Sequence, residues 1–484
     1  MNSDLTVAPV SKLTAPCSRQ SVFQRHVFTC LLICQILVLG LMVRVWAFDA
    51  STRIRFTWDI DNAWNHAVDA LQSGPSFFSG VVKVYNPTSH IYTDYPPLRF
   101  YIVTAWVDLI HHWAGLSARR TDADSWPMLL VNFLFEVAAA AGMYFFCRTK
   151  LSQTKSLLAA CALWLSPALI VNTFVWPQWD CWVLAPVLWA VWAVLDRRWL
   201  LAGICFGCGT MLKGQTLFCL PWLLAFMLLY PIPPGRPAGI LGWNSMAKAV
   251  SWFIRTSRRL AQFALGSAII IFIITLPFTI RHNLYWLKIY THQINMAQPM
   301  SVGFWNIPMI LARQYGWWRS NLIWSPHWLG LIPFMTINHW LEAATLIWLI
   351  ILALFSRRAF HSSRVLLAPG TAFAIFVALV PGMHERYGLW AAALLAPAVV
   401  ISPMAAFSWL ILTIMAFLDP FNSCLNGDSR HWVILRSLLG KGAQDMAWFW
   451  LFAVFLMTYQ IFLSRSGSSR RKLVPRRGSL LTRI

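Results

Sequence analysis

Two aspartates stand one residue apart in Trp58-Asp59-Ile60-Asp61-Asn62-Ala63. Carboxylates of this kind suit general-base work, in which one takes the proton from an attacking hydroxyl. They equally suit a plainer duty, capping and charging a helix N-terminus. At about 100° per residue the pair points about 200° apart, so only one can serve a given site. A cationic group comes later in the chain. Lys213-Gly-Gln215 lies between two apolar segments, and Pro381-Gly-Met-His384-Glu385-Arg386-Tyr387 interrupts two others with a tight turn. A lysine so near hydrocarbon either snorkels to water or meets an anion, and an embedded phosphate would supply one. His384 and Arg386 at a helix N-terminus add their donors to the positive end of the helix dipole, an arrangement suited to anions.

The intervening motifs read less sharply. Tyr92-Thr-Asp94-Tyr95-Pro96-Pro97-Leu98 forces an extended approach to the next helix, since the first proline bars the α region for its neighbour. Trp176-Pro-Gln178-Trp-Asp180 reads as an interfacial aromatic belt with a capping carboxylate. Glu136 lies amid Phe, Leu and Val, which calls for a partner such as Lys213 or Arg386. The Trp-rich stretch around Pro299-Met-Ser-Val-Gly-Phe-Trp-Asn306 suits either sugar stacking or interfacial anchoring.

The elements that must hold these residues are membrane helices. The chain has 484 residues, 58% hydrophobic and 12% charged, against roughly 25% charged in soluble domains. Several apolar runs approach the ~20 residues that cross a bilayer. A soluble enzyme, a secreted disulfide scaffold and a disordered chain are excluded. Twelve segments are expected, at about 27–48, 128–147, 156–174, 181–195, 199–212, 216–230, 261–280, 338–355, 365–381, 387–401, 404–418 and 446–463. Lys and Arg collect in every even connection, which by the positive-inside rule places both termini in the cytoplasm. Residues 49–127, 176–180, 281–337 and 382–387 then share the extracytoplasmic face. The organisation is a cytoplasmic segment 1–26, a membrane domain 27–463 and a basic tail 464–484, in a plasma, inner or endoplasmic-reticulum membrane. Within 49–127 no full span is expected. Residues 58–72 split into an apolar arc (Ile60, Ala63, Trp64, Ala67, Val68, Ala70, Leu71) and a polar one containing Asp61, with Asp59 on the border. Such a helix lies along the membrane surface, with Asp61 turned to water. The net charge of +22 sets topology and gives no reason to invoke nucleic acid. The ten cysteines are mostly in apolar segments, with Cys17 and Cys424 outside, and Cys205-x-x-Cys208 lacks the second pair a zinc site needs.

The acidic pair after the first span, the Tyr-Pro-Pro-Leu at the end of that loop and the late Met-His-Glu-Arg-Tyr resemble the GT-C glycosyltransferases, all-α membrane enzymes that use polyprenyl-phosphate sugars. Within them the chain is similar to bacterial GPI-mannosyltransferase-related proteins and to dolichyl-phosphate-glucose glucosyltransferases. Asn62 intervenes before Ala63, and Val131 and Asn132 stand where the family has an arginine. The resemblance implies inverting transfer of one hexose, mannose or glucose, to a lipid, glycan or protein acceptor outside the cytoplasm. It implies Asp59 as base with Asp61 beside it, and Lys213, His384 and Arg386 on the donor phosphate. Asp94, Tyr95, Gln178, Asp180, Gln215 and Glu385 would bind sugar or acceptor. No cofactor is required, and a divalent metal is compatible but not indicated, since a basic phosphate site does that work. A polymerase or ligase of lipid-linked glycans remains the alternative, as does a secondary transporter, which would be expected to show repeats and broken midplane helices.

Overall fold

Backbone polar groups inside a bilayer must be satisfied within the segment, which apolar helices do. The computed structural model describes residues 19–52, 58–85, 95–114, 126–229, 244–288, 290, 306–308, 310, 337–380, 383–384, 386–425 and 443–463, and every element among them is helical. The chain divides into two compact units, Met1–Trp46 and Ala47–Ile484. The first is represented by α1 (Arg19–Ala50), which runs on into the second.

In the second unit, α2 (Trp58–Ser73), α3 (Phe77–Val84) and α4 (Pro97–Ala114) precede the long helices. The apolar arc of α2 is turned inward, with Ile60, Trp64, Ala67 and Val68 buried. A Cβ on Gly80 would come within 1.9 Å of the Ala70 carbonyl, so only glycine lets α3 lie this close to α2. Next come α5 (Trp126–Arg148), α6 (Gln153–Trp164), α7 (Pro167–Ile170), α8 (Cys181–Leu195), α9 (Trp199–Leu212), α10 (Leu220–Leu229) and α11 (Asn244–Ile280). The last group is α12 (Ile337–Arg358), α13 (Ala368–Leu379), α14 (Gly388–Leu394), α15 (Ala398–Ile401), α16 (Pro403–Leu425) and α17 (Ala443–Phe462). Helix α8 is buried along nearly its whole length between α5 and α9. Helix α9 packs against α11, where a Cβ on Gly203 would lie 2.0 Å from the Phe263 carbonyl. Small residues permit such backbone approach in membrane helices.

Seven helices among the described residues are long and apolar enough to cross a membrane, and five further apolar segments have only 10–17 residues. The protein is an all-α polytopic membrane protein. The expectation of twelve full spans therefore rests on five segments that fall short of bilayer length by themselves. Proline breaks two of the apolar segments into shorter helices without setting the length of the segment itself. Pro167 separates α6 from α7, and Pro397 separates α14 from α15, because each lacks the N–H that would continue the ladder. Helix α11 instead starts well before the expected 261, carrying Arg255, whose guanidinium bonds Ser251, on an exposed face. Cys424, expected outside the apolar segments, is buried at the end of α16. The nine described cysteines are all free thiols.

Candidate functional site

The corner between α7 and α8 builds the site. Val171–Val175 winds as a π-turn, in which the Trp176 N–H reaches the Val171 carbonyl at 2.8 Å. Pro177 has no N–H to give the Thr173 carbonyl, its partner in a regular α-helix. That carbonyl accepts instead from the Asn132 side-chain amide on α5 (3.3 Å), which also donates to the Gln178 carbonyl (3.0 Å). The Asn132 oxygen in turn accepts from the Trp182 indole at 2.7 Å. The Gln178 N–H bonds the Asn172 carbonyl (3.0 Å). Thus fixed, Gln178 extends its amide to donate to Asp59 Oδ2 at the start of α2.

Around this contact lies a buried charge cluster. Lys213, between α9 and the 3-10 turn Gly214–Cys219, donates to Asp180 Oδ1. Arg386, just before α14, reaches both carboxylates, with Nε 3.4 Å from Asp180 Oδ2 and Nη1 3.9 Å from Asp59 Oδ2. Asn172 adds a 3.5 Å bond to Asp180 Oδ2, and the Trp390 indole donates to the Asp180 carbonyl at 2.9 Å. Burial pushes the Asp180 carboxyl up, but Lys213 and Arg386 outweigh it and hold the group below the usual carboxylate range. Burial pulls Lys213 down to about 8 against the opposing pull of Asp180. For Arg386, burial works against the charge, yet Asp180, Tyr95, Tyr387 and Asp59 together hold the guanidinium above its ordinary value.

Aromatic rings wall the cluster. Lys213 Nζ lies 5.1 Å from the Tyr387 ring, 5.4 Å from Trp390 and 5.8 Å from Tyr95. Gln215 donates to the Tyr387 hydroxyl at 3.0 Å. The Arg99 guanidinium, on the first turn of α4, sits 3.1 Å from the Tyr95 ring centre and 3.9 Å from that of Trp179. Tyr95 is itself held by its carbonyl, which accepts from the Tyr85 hydroxyl at 2.7 Å. Two amide oxygens, Gln178 Oε1 and Gln215 Oε1, are buried with no protein donor among the described residues. Buried acceptors of this kind suit a ligand that brings hydroxyl donors.

Of the residues singled out from the sequence, Asp59, Gln178, Asp180, Lys213 and Arg386 are brought together directly, and Tyr95 and Gln215 join through the walls. His384 is half-buried and meets the Tyr387 ring edge-on at 5.3 Å. Asp94 and Glu385 lie outside the described residues, as does most of the stretch from Pro299 to Asn306, of which Asn306 itself bonds the Val377 carbonyl at 2.9 Å. Asp61, expected to face water, is only 8% exposed, because the start of α2 is covered on both sides rather than along one arc. Glu136 takes the Thr173 hydroxyl (2.5 Å), whereas Lys213 and Arg386, the partners considered for it, go to Asp180. Asp180 is thus the anion that Lys213 meets, and simple snorkelling is ruled out by the 3% exposure of the lysine side chain. Arg99 and Asn132 escaped the sequence reading as site residues. For Arg99 one signal existed: a cation in the first helical turn opposes the helix dipole and so needs another reason to be there. Among the described residues no group of three His, Cys, Asp or Glu side chains is placed to hold a metal.

Residues 95–235 match the family described as dolichyl-phosphate-mannose-protein mannosyltransferase. The matched stretch holds Tyr95, Gln178, Asp180, Lys213 and Gln215, while Asp59 and Arg386 come to the cluster from outside it. No curated protein matches the chain. Over this part the chain carries a mannosyltransferase-like domain of the GT-C kind, in a membrane-embedded, glycosyltransferase-like protein.

Proposed function

We propose that this protein moves a single hexose from a polyprenyl-phosphate donor to an acceptor hydroxyl at the extracytoplasmic membrane face. The observation that carries this reading is the convergence of Asp59, Gln178, Asp180, Lys213 and Arg386 from four separated chain segments. Each lies in an odd-numbered connection of the expected topology, so their meeting requires those connections to share one side. On the even side, Lys150 Nζ sits 4.2 Å from the Phe360 ring, again joining connections of equal parity.

The chemistry needs a base and a stable leaving group. Asp59 takes the acceptor proton as the acceptor oxygen bonds the anomeric carbon; the bond from that carbon to the donor phosphate breaks, and its electron pair leaves with the lipid phosphate. In-line attack inverts the anomeric centre. Arg386, with two loose carboxylate contacts, is the cation best placed to take the phosphate, with His384 beside it. Lys213 serves the same anion less directly, by keeping Asp180 neutralised so that Arg386 is not wholly claimed by it. The Gln178 and Gln215 oxygens accept from sugar hydroxyls, with Asp180 and Tyr95 beside them around Lys213. Asp61, Asp94 and Glu385 complete the acceptor side in this reading.

The decisive experiment offers membranes containing the protein radiolabelled polyprenyl-phosphate mannose or polyprenyl-phosphate glucose. Transfer of one labelled hexose supports the reading and names the sugar. Transfer of an intact lipid-linked glycan instead would place the protein among polymerases or ligases, and translocation of label without transfer among transporters.

The lowered value of Lys213 has a consequence for pH. Below about 8 the lysine is charged and balances Asp180; as pH rises through 8 it loses its proton and leaves the carboxylate to Arg386 and Asn172. Donor affinity should therefore decline above pH 8, because Arg386 is drawn to Asp180, and a titration of polyprenyl-phosphate binding between pH 6 and 10 reads this. Affinity constant to pH 9.5 would show that Lys213 does not control the phosphate site.

A further inference from the structure

Asn132 touches none of the charged groups, yet three of its hydrogen bonds end at the corner that carries Gln178. A polar side chain on a membrane helix usually acts as glue between helices. Here it does something more specific, because the carbonyls it holds are those left over by a π-turn and a proline. Without Asn132 the Thr173 carbonyl has no N–H four residues ahead to meet it, and the Gln178 carbonyl loses the bond that fixes its peptide. Gln178 is the residue whose amide meets Asp59.

We infer that Asn132 is a positioning residue for the base: through the Thr173–Gln178 corner it aims the Gln178 amide at Asp59 Oδ2, so that the carboxylate is held oriented toward the acceptor. The inference rests on the assignment of Asp59 as base. With Gln178 displaced, Asp59 loses the contact that orients it, and the loss falls on the chemical step rather than on donor binding.

The test compares the wild type with Asn132→Leu and Trp182→Phe, using transfer from whichever labelled polyprenyl-phosphate hexose the wild type accepts. Asn132→Leu keeps the branched outline of the side chain and removes all three bonds. Trp182→Phe removes the indole donor and leaves an aromatic ring to face Phe135, which the indole stacks on at 4.7 Å. Asn132→Leu should lower kcat about tenfold, the scale of a lost hydrogen bond to a charged group, and leave the donor KM within about twofold. Trp182→Phe should lower kcat by less, again with the donor KM unchanged, and it decides the matter if Asn132→Leu does not fold. An unchanged kcat in the folded variants, or a donor KM that rises as kcat falls, overturns the inference and leaves Asn132 as helix glue. Asp59→Asn measured alongside separates the two claims: if it stays active, the base assignment has failed; if it is inactive while kcat of the Asn132 variant is unchanged, the positioning role alone has failed.

Discussion

Asp59→Asn should reduce transfer by about 10²- to 10⁴-fold, the span a positioned general base contributes, while polyprenyl-phosphate binding stays near wild type. The substitution keeps the shape of the side chain and the acceptor for the Gln178 amide, so the loss reports proton removal rather than collapse of the corner. It also removes one of the two carboxylates facing Arg386, which if anything leaves that guanidinium readier for phosphate. Asp61→Asn should act more mildly, through acceptor placement or through the loss of a first-turn carboxylate that complements the helix dipole, worth about 0.3–1 kcal/mol. Activity in Asp59→Asn with loss in Asp61→Asn would exchange the two roles. Activity in both would remove the transferase mechanism from this loop.

The second large effect is on stability. Lys213 and Asp180 are 3% and 0% exposed at their side chains, and removing one partner of a buried pair typically costs about 3–5 kcal/mol, because the other charge is left without compensation. Lys213→Met should therefore lower the Tm of the detergent-solubilised protein sharply, with Arg386 limiting the loss by keeping its own contact with Asp180. The double variant Lys213→Met with Asp180→Leu should regain most of that stability, since apolar replacements of a buried pair are often neutral. It should not regain donor binding. A single variant with unchanged Tm would mean that the pair is not buried in the solubilised protein.

Much of this arrangement was legible in the sequence for identifiable reasons. Uninterrupted apolar runs leave a chain no choice but membrane helices. The wheel of residues 58–72 separates inward from outward positions because the 3.6-residue period is local, and Ile60, Trp64 and Ala67 are buried as that period requires. Residue types marked Asp59, Lys213 and Arg386 as groups with a task, since each carries charge where hydrocarbon begins.

Which charge meets which was decided only by the tertiary structure. From the sequence Glu136 called for Lys213 or Arg386, yet both cations go to Asp180 and Glu136 takes the Thr173 hydroxyl, an outcome set by the corner built around the π-turn of Val171–Val175. Asp61 was turned inward by α2's neighbours, which no helical wheel contains. Arg99 became part of the wall because Tyr95 and Trp179, 84 residues apart in the chain, close on it from two sides. A sequence states charge, period and hydrophobicity, all of which act over one or two helical turns. Pairing energies depend on distances between segments and on the burial around them, and those come into being only when the helices have packed.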